Sequence, residues 1–314
     1  MVMRTGVIYA LIWIFWTNHR DGHAGMNDPV IVAVDGGGTQ CRAAIFDAGG
    51  RRLGYARGAF ANLVTDFRES SRHVCEAIDA ACRDAGIADL QDRKSVAVLG
   101  IAGAEIEDRA AQLEKAIDLP TVRVVSDRDT AIAGVLGERD GMLAQIGTGS
   151  FFARRRNGQL SHAGGWGLTL GDECSGAWLG RQLLRSVLMA HDGLLASSVL
   201  CEQIESRFGN GLDGIVIFAA TATPADFADL APILFDAFDD GDGLARHVVS
   251  AGVADLERIL TAMQGDGGSD LFITGGVGAR YKPLIAPPFR KALKEPDGDS
   301  LSGAFAIGAA LLKG

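Results

Sequence analysis

Residues 30–48 read VIVAVDGGGTQCRAAIFDA, and the turn in this stretch decides the fold. Val30–Val34 is an apolar, β-branched run of strand composition. It ends in Asp35-Gly36-Gly37-Gly38-Thr39, and a second strand-like run, QCRAAIFDA, follows at once. A dinucleotide-binding fingerprint would lead from its glycines into a helix, with a third glycine where Cys41 stands. A Walker loop would need Gly-Lys-Ser/Thr, which is absent. What remains is a glycine hairpin whose bare backbone lets anionic oxygens approach amide N–H groups.

Outward from the hairpin, Gly49-Gly50 turns into a third strand, RLGYARG. Asp66 and Glu69 have capping-box-like spacing before a helix whose Phe67, Val74, Ile78 and Cys82 share one apolar face. SVAVLGIAG is a buried strand and loop, Glu105–Ile117 is expected to be a helix, and TVRVVSD is another strand. The pattern then restarts with a strand at Met142–Ile146, a turn at Gly147-Thr148-Gly149-Ser150 and a strand from Phe151 with its own turn at Asn157-Gly158. Helices are expected around Trp178–Met189, Ala225–Phe238 and Leu244–Met263. A late strand, Asp270–Thr274, leads into Gly275-Gly276-Val277-Gly278, and SGAFAIGAALL reads as a Gly/Ala-rich packing helix. Strand–glycine turn–strand thus occurs twice, about 110 residues apart. That distance is too long for a solenoid repeat and fits duplication of an α/β domain.

The 314 residues, 47% hydrophobic and 22% charged, can bury a sizeable core, which excludes disorder and fibrous repeats. A net charge of −9 argues against a nucleic-acid partner. The five cysteines (Cys41, Cys75, Cys82, Cys174, Cys201) contain no C-x-x-C pair, and a reducing cytoplasm fits them best. Residues 1–25 are set aside. Their apolar run VIYALIWIFW is too short to span a bilayer as a helix, which needs about 20 residues. The leading reading is a start assigned too early, with the protein beginning at Met26; an export signal ranks second and a membrane-associated tail third.

Each glycine turn alone is weak evidence, because an ordinary tight turn explains it equally well. The ordered set D-G-G-G-T, G-T-G-S, T-G-G-V-G is far more specific. With it, and with GGWGLTLGDECSGAWLG at Gly164–Gly180, the chain from about Val30 resembles the BadF/BadG/BcrA/BcrD-type ATPase family, in particular its N-acetylglucosamine kinase branch. The resemblance implies an α/β fold of two ribonuclease-H-like, actin-like ATPase lobes. Each would have a mixed sheet flanked by helices, with a central nucleotide cleft. The expected lobes are 26–135 plus 302–314, and 136–301. It implies ATP and Mg²⁺ as cofactors, and an amino sugar, N-acetylglucosamine or glucosamine, phosphorylated on its 6-hydroxyl. A homodimer is compatible with it, and no stable membrane partner is expected.

Carried over residue by residue, Gly36, Gly37, Gly38 and Thr39 match the first phosphate motif, with Asp35 as the magnesium ligand. Gly147, Thr148, Gly149 and Ser150 match the second, Ser150 also lying toward the sugar; Gly275, Gly276 and Gly278 match the adenosine motif. Asp127 falls where the family keeps its catalytic base, with Asp129 as rival and a helix N-cap as the plain structural role. Asn62, Trp166 and Asp172 are sugar-site candidates, set against a loop asparagine, a core tryptophan and a helix-dipole partner. Glu173 shares Asp172's position at a helix start; His162 receives no role, and Arg154–Arg156 read as alternating exposed positions on a hairpin ahead of an anion patch. Cys174 stands where the family has glycine, and Phe151 where related sugar kinases carry a polar residue. The competing readings are the iron–sulfur ATPase activator of radical acyl-CoA dehydratases, against which the missing cysteine motif argues, and a non-catalytic sugar or nucleotide sensor.

Overall fold

A computed structural model describes residues 28–90, 94–106, 108–265 and 268–313; the segment 1–25 lies outside them. The described residues divide into two compact units, one from 28–139 with 296–313 and the other from 140–295.

The first unit carries a five-stranded sheet of β1 (Val30–Gly36), β2 (Cys41–Asp47), β3 (Arg52–Gly58), β4 (Ser95–Ile101) and β5 (Val122–Ser126), in the order β3-β2-β1-β4-β5. β1, β2 and β3 form the antiparallel meander that the glycine turns predict, while β4 and β5 add in parallel beyond β1. Both faces of β1 are buried, which explains its unbroken apolar run. Val30, Val32 and Val34 pack with Val74, Ala77 and Ile78 of α1 (Phe67–Asp84). Ala33, with Val96 and Val98 of β4, packs instead against Leu301 and Ala304 of α12 (Ser300–Lys313). Asp66 caps α1 as predicted, its Oδ1 accepting the Glu69 amide at 3.0 Å.

Two shorter helices complete this unit. The expected helix from Glu105 begins only at Arg109, as α2 (Arg109–Ala116), because Ala102–Ile106 folds into turns. α3 (Asp127–Val135) follows β5 directly. It lies so close to α12 that a methyl group on Gly134 would overlap the Asp299 carbonyl, and one on Gly303 the Thr130 carbonyl.

The second unit repeats the plan. β6 (Gly141–Ile146), β7 (Ser150–Arg156) and β8 (Gln159–Gly164) form an antiparallel meander, and β9 (Leu271–Thr274) joins β6 in parallel, giving β8-β7-β6-β9. Met142, Ala144 and Ile146 share one core with α4 (Gly176–His191) and α9 (Gly243–Gln264). Between these helices run α5 (Val199–Arg207), α6 (Gly211–Thr221), α7 (Pro224–Ala228) and α8 (Ala231–Asp239). The single helix expected over Ala225–Phe238 is therefore two, broken before Pro232, which takes an early position in α8 where its missing N–H costs nothing. After β9 come α10 (Gly276–Tyr281) and α11 (Pro287–Ala292). No helix among the described residues is long and apolar enough to cross a membrane.

Candidate active site

Three parallel strands of the first unit end in one row: Gly36 pairs with Ile101, and Ile101 with Ser126. Asp35 thus closes β1 one residue before the row, and Asp127 follows β5 one residue after it. They stand two strands apart, about 10 Å by sheet spacing. The hairpin turn between β1 and β2 rises from the same edge; Gly37 donates to the Gln40 carbonyl at 3.0 Å, and Thr39 and Gln40 are exposed. The segment Ala61–Leu63 lies beside it, Ala61 donating to Gly37 O and Leu63 to Ala102 O, both at 2.9 Å.

That segment carries Asn62. Its Oδ1 accepts the amides of Val64 at 2.9 Å and Thr65 at 3.2 Å, and its own amide donates to Ser70 Oγ at 2.9 Å. Because two backbone donors fix Oδ1 as the acceptor, any ligand bond from Asn62 must come from Nδ2, as a donor. The loop-asparagine role and a sugar role are thus compatible.

Asp127 is the first residue of α3, and the helix cap is Ser126, whose Oγ accepts the Arg128 amide at 3.4 Å. The Ser126 hydroxyl also reaches Asp127 Oδ1 at 3.4 Å. Asp127 keeps some exposed surface, yet protein crowds it. Burial first, then the charges of Asp35 and Glu105, push its carboxyl up from 3.8 to about 7, with Arg128 opposing. Asp129 is an exposed residue on the helix, not a continuation of the strand.

Asp35 faces Arg42 across the hairpin, and its Oδ2 accepts Arg42 Nη2 at 2.5 Å and Nε at 3.0 Å. Arg42 also reaches Asp299 Oδ2 at 3.2 Å, tying the hairpin to the segment before α12. No described residue bonds Asp35 Oδ1. One open carboxylate oxygen suits Mg²⁺, which keeps most of its waters and takes one or two carboxylates, so the residues fit that ion. Sequence reading did not single out Arg42. The hairpin register was its available signal, since Asp35 and Arg42 flank the turn symmetrically.

In the second unit the turn Gly147–Gly149 lies against the start of α4: Gly176 donates to Gly147 O at 2.8 Å and Ala177 to Thr148 O at 3.0 Å. Gly275, at φ 88, fits directly beside this turn, where a methyl group would overlap the Ile146 carbonyl. The second and third glycine motifs are therefore packed together, and Gly276 faces open space. Gly278 sits one turn further on in α10, over Ile273.

The loop from Gly164 to Ser175 joins the same cluster. Ser150 Oγ donates to the Glu173 carbonyl at 2.8 Å, and Arg181 Nη1 to the Leu168 carbonyl at 2.6 Å. Asp172 is buried at φ 56, its carboxylate over Gly149, where a methyl group would come within 3.0 Å of Oδ2. Trp166 is 75% exposed, which excludes the core-tryptophan role and leaves an aromatic face open to a ligand. Cys174 is buried at φ 59, and burial pushes its thiol far above the ordinary range, so it is an inert core side chain in a conformation that favours glycine. Phe151 is buried as well. All five cysteines are free, and no group of three or more His, Cys, Asp or Glu side chains among the described residues could hold a metal ion.

Residues 32–312 match the sequence model of the BadF/BadG/BcrA/BcrD ATPase family. The glucosamine kinase GspK of Vibrio cholerae is 31% identical over 277 residues, covering 87% of this chain and 94% of that protein. The N-acetyl-D-glucosamine kinase of Dictyostelium discoideum is 25% identical over 320 residues, covering 91% and 98%. Among solved structures, a protein of Chromobacterium violaceum provisionally named an N-acetylglucosamine kinase superposes with a TM-score of 0.80 at 29% identity, covering 91% of this chain and 99% of that one. The two mixed sheets flanked by helices are thus those of the actin-like ATPase and sugar kinase fold.

Proposed function

We propose that this chain, which belongs to the BadF/BadG/BcrA/BcrD ATPase family, is an ATP-dependent hexosamine kinase. It transfers phosphate to the 6-hydroxyl of glucosamine or N-acetylglucosamine, the class of sugar named in its relatives. The observation that carries this reading is Asp127: a carboxyl poised near neutrality, on the sheet edge that also presents Asp35 and the glycine hairpin.

Phosphoryl transfer needs positioning and charge neutralisation more than covalent help from the protein. The hairpin around Gly36–Thr39 and the turn Gly147–Ser150 would offer backbone donors to phosphate oxygens, and Gly276, which faces open space between the packed Gly275 and Gly278, leaves room for the nucleoside. Asp35 would hold Mg²⁺ through Oδ1 or a water, with Arg42 fixing the carboxylate from its other oxygen. When bound there, the ion would offset the negative charge of the phosphates. Asp127 accepts the proton of the sugar hydroxyl as its oxygen bonds to the γ-phosphorus and the bond from that phosphorus to the departing ADP breaks, a role that typically supplies about 10² to 10⁴ in rate. Asn62 Nδ2 donates to a sugar hydroxyl, Asp172 accepts from one, and Trp166 offers an apolar face. We place the activity in the cytoplasm.

ADP release from Mg-ATP, measured with glucosamine, N-acetylglucosamine, N-acetylmannosamine, glucose and no sugar, tests this. Selective stimulation by one amino sugar is the expected result and identifies the acceptor. A rate independent of sugar, or none, would overturn the kinase reading.

A further inference from the structure

Glu105 and Arg128 form an ion pair on the sheet edge that carries Asp127, and the functional reading leaves both unassigned. Arg128 follows Asp127 in α3, and its charge acts on that carboxylate. The other guanidinium at this edge, Arg42, is already committed to Asp35 and Asp299. Glu105 comes from the turn after β4, 23 residues earlier. The turn is firmly placed: Ala104 donates to Ile101 O and Ile106 to Gly103 O, both at 3.2 Å, and Ala102 bridges to Asn62.

Resting on the reading of Asp127 as the base, we propose that Glu105 is a positioning residue. By engaging Arg128 it keeps that cation off Asp127, leaving the carboxylate free to accept the substrate's proton. An Arg–carboxylate contact is among the stronger charge-assisted bonds a base can form, and a base so engaged is both less basic and blocked. The charged groups acting on Asp127 are Asp35 from β1, Glu105 from the β4–α2 turn and Arg128 from α3, and Arg128 alone among them works against its basicity. The same contact couples the turn that supports Asn62 to the helix that supports Asp127.

Steady-state kinetics of the full chain with Mg-ATP and the preferred amino sugar test this, each variant accompanied by a thermal melt. Glu105→Gln frees Arg128 and is expected to lower kcat about tenfold or more, with KM for ATP within about twofold of wild type. Glu105→Asp keeps a carboxylate and retains most of kcat. The decisive variant is Glu105→Gln/Arg128→Gln, which removes the intruding cation and is expected to recover at least about fivefold in kcat over Glu105→Gln. Wild-type kcat in Glu105→Gln, or a double variant no faster than the single one, overturns the proposal; the second result would make the pair a brace of the fold. If Glu105→Gln melts below the assay temperature, the folded double variant decides: near-wild-type kcat supports the proposal and a tenfold loss overturns it. A wild-type chain that releases no ADP with any amino sugar overturns the kinase reading itself, before any variant is compared.

Discussion

Asp127 meets two opposed demands, and both are measurable. As the proposed base it must be ionised to accept a proton, yet burial, Asp35 and Glu105 favour its neutral form up to about pH 7. The expected kcat/KM profile for the amino sugar therefore falls on the acid side with an apparent pKa near 7. A profile flat down to pH 5 would remove Asp127 from the role. Asp127→Asn should lower kcat about a hundredfold or more while leaving nucleotide binding in place. The sign for stability is opposite. A carboxyl raised from 3.8 to about 7 binds its proton more tightly in the folded chain, so stability declines as pH rises between those values. The rise corresponds to about 4 kcal/mol at most, cut to about 1–2 by solvent reaching a partly exposed group. Asp127→Asn should thus melt higher than wild type at pH 8 and nearly with it at pH 4, and equal melting at pH 8 would refute the link. Asp127 could be found in the sequence through the family resemblance, which places the base just after the apolar strand that becomes β5. Glu105 could not, because its partner lies 23 residues away and neither shows any local pattern.

Strands were more legible than helices, for a physical reason. Buried parallel and hairpin strands need continuous or alternating apolar residues bounded by glycine, and β1, β4, β6 and β9 show that plainly, whereas the exposed β8, QLSHAG, shows neither pattern and went unread. Among the helices that went unread, α10 and α11 span only six residues each, and α5 and α6 lack a clear polar–apolar division: α6, GLDGIVIFAAT, is apolar nearly all round and leaves Val216 and Ile217 more than half exposed. α3 is short and weakly amphipathic too, and glycine sets its position instead. Gly134 and Gly303 let α3 and α12 approach until backbone meets backbone, which seats the helix whose first residue is Asp127. Neither glycine has positive φ, so alanine suits each backbone, and the cost of substitution comes from overlap alone. Gly134→Ala or Gly303→Ala should each destabilise by about 1–3 kcal/mol and lower Tm by several degrees. Each should also reduce kcat more than it alters KM for ATP. An unchanged melt in both would mean that the helices can separate at little cost.

At the scale of the whole molecule, the repeated strand–glycine turn–strand gives both sheets one plan, β3-β2-β1-β4 matching β8-β7-β6-β9. The chain path differs between the units in a way that has consequences. Asp140–Glu295 is continuous and has its own large core, whereas the first unit is closed by a segment from the far end of the chain. α12 supplies Leu301 and Ala304 to the face of β1 and β4 that α1 does not cover, and Gly308 lies against Ile31. Without α12 that face, with Ala33, Ala44, Val96 and Val98, would meet water. Each large apolar side chain left unburied costs about 1.5–3 kcal/mol, so a few of them approach the 5–15 kcal/mol that typically holds a domain together. A chain stopped at Glu295 should therefore lose the first unit and keep the second. Calorimetry should show the transition of residues 140–295 surviving, and limited proteolysis should cut within 28–139 first. The truncated chain should also lose sugar-dependent ADP release, because Asp35, Asn62 and Asp127 all belong to the unit that fails to close. Protease resistance of 28–139 equal to that of the full chain would show that α12 covers the sheet without stabilising it.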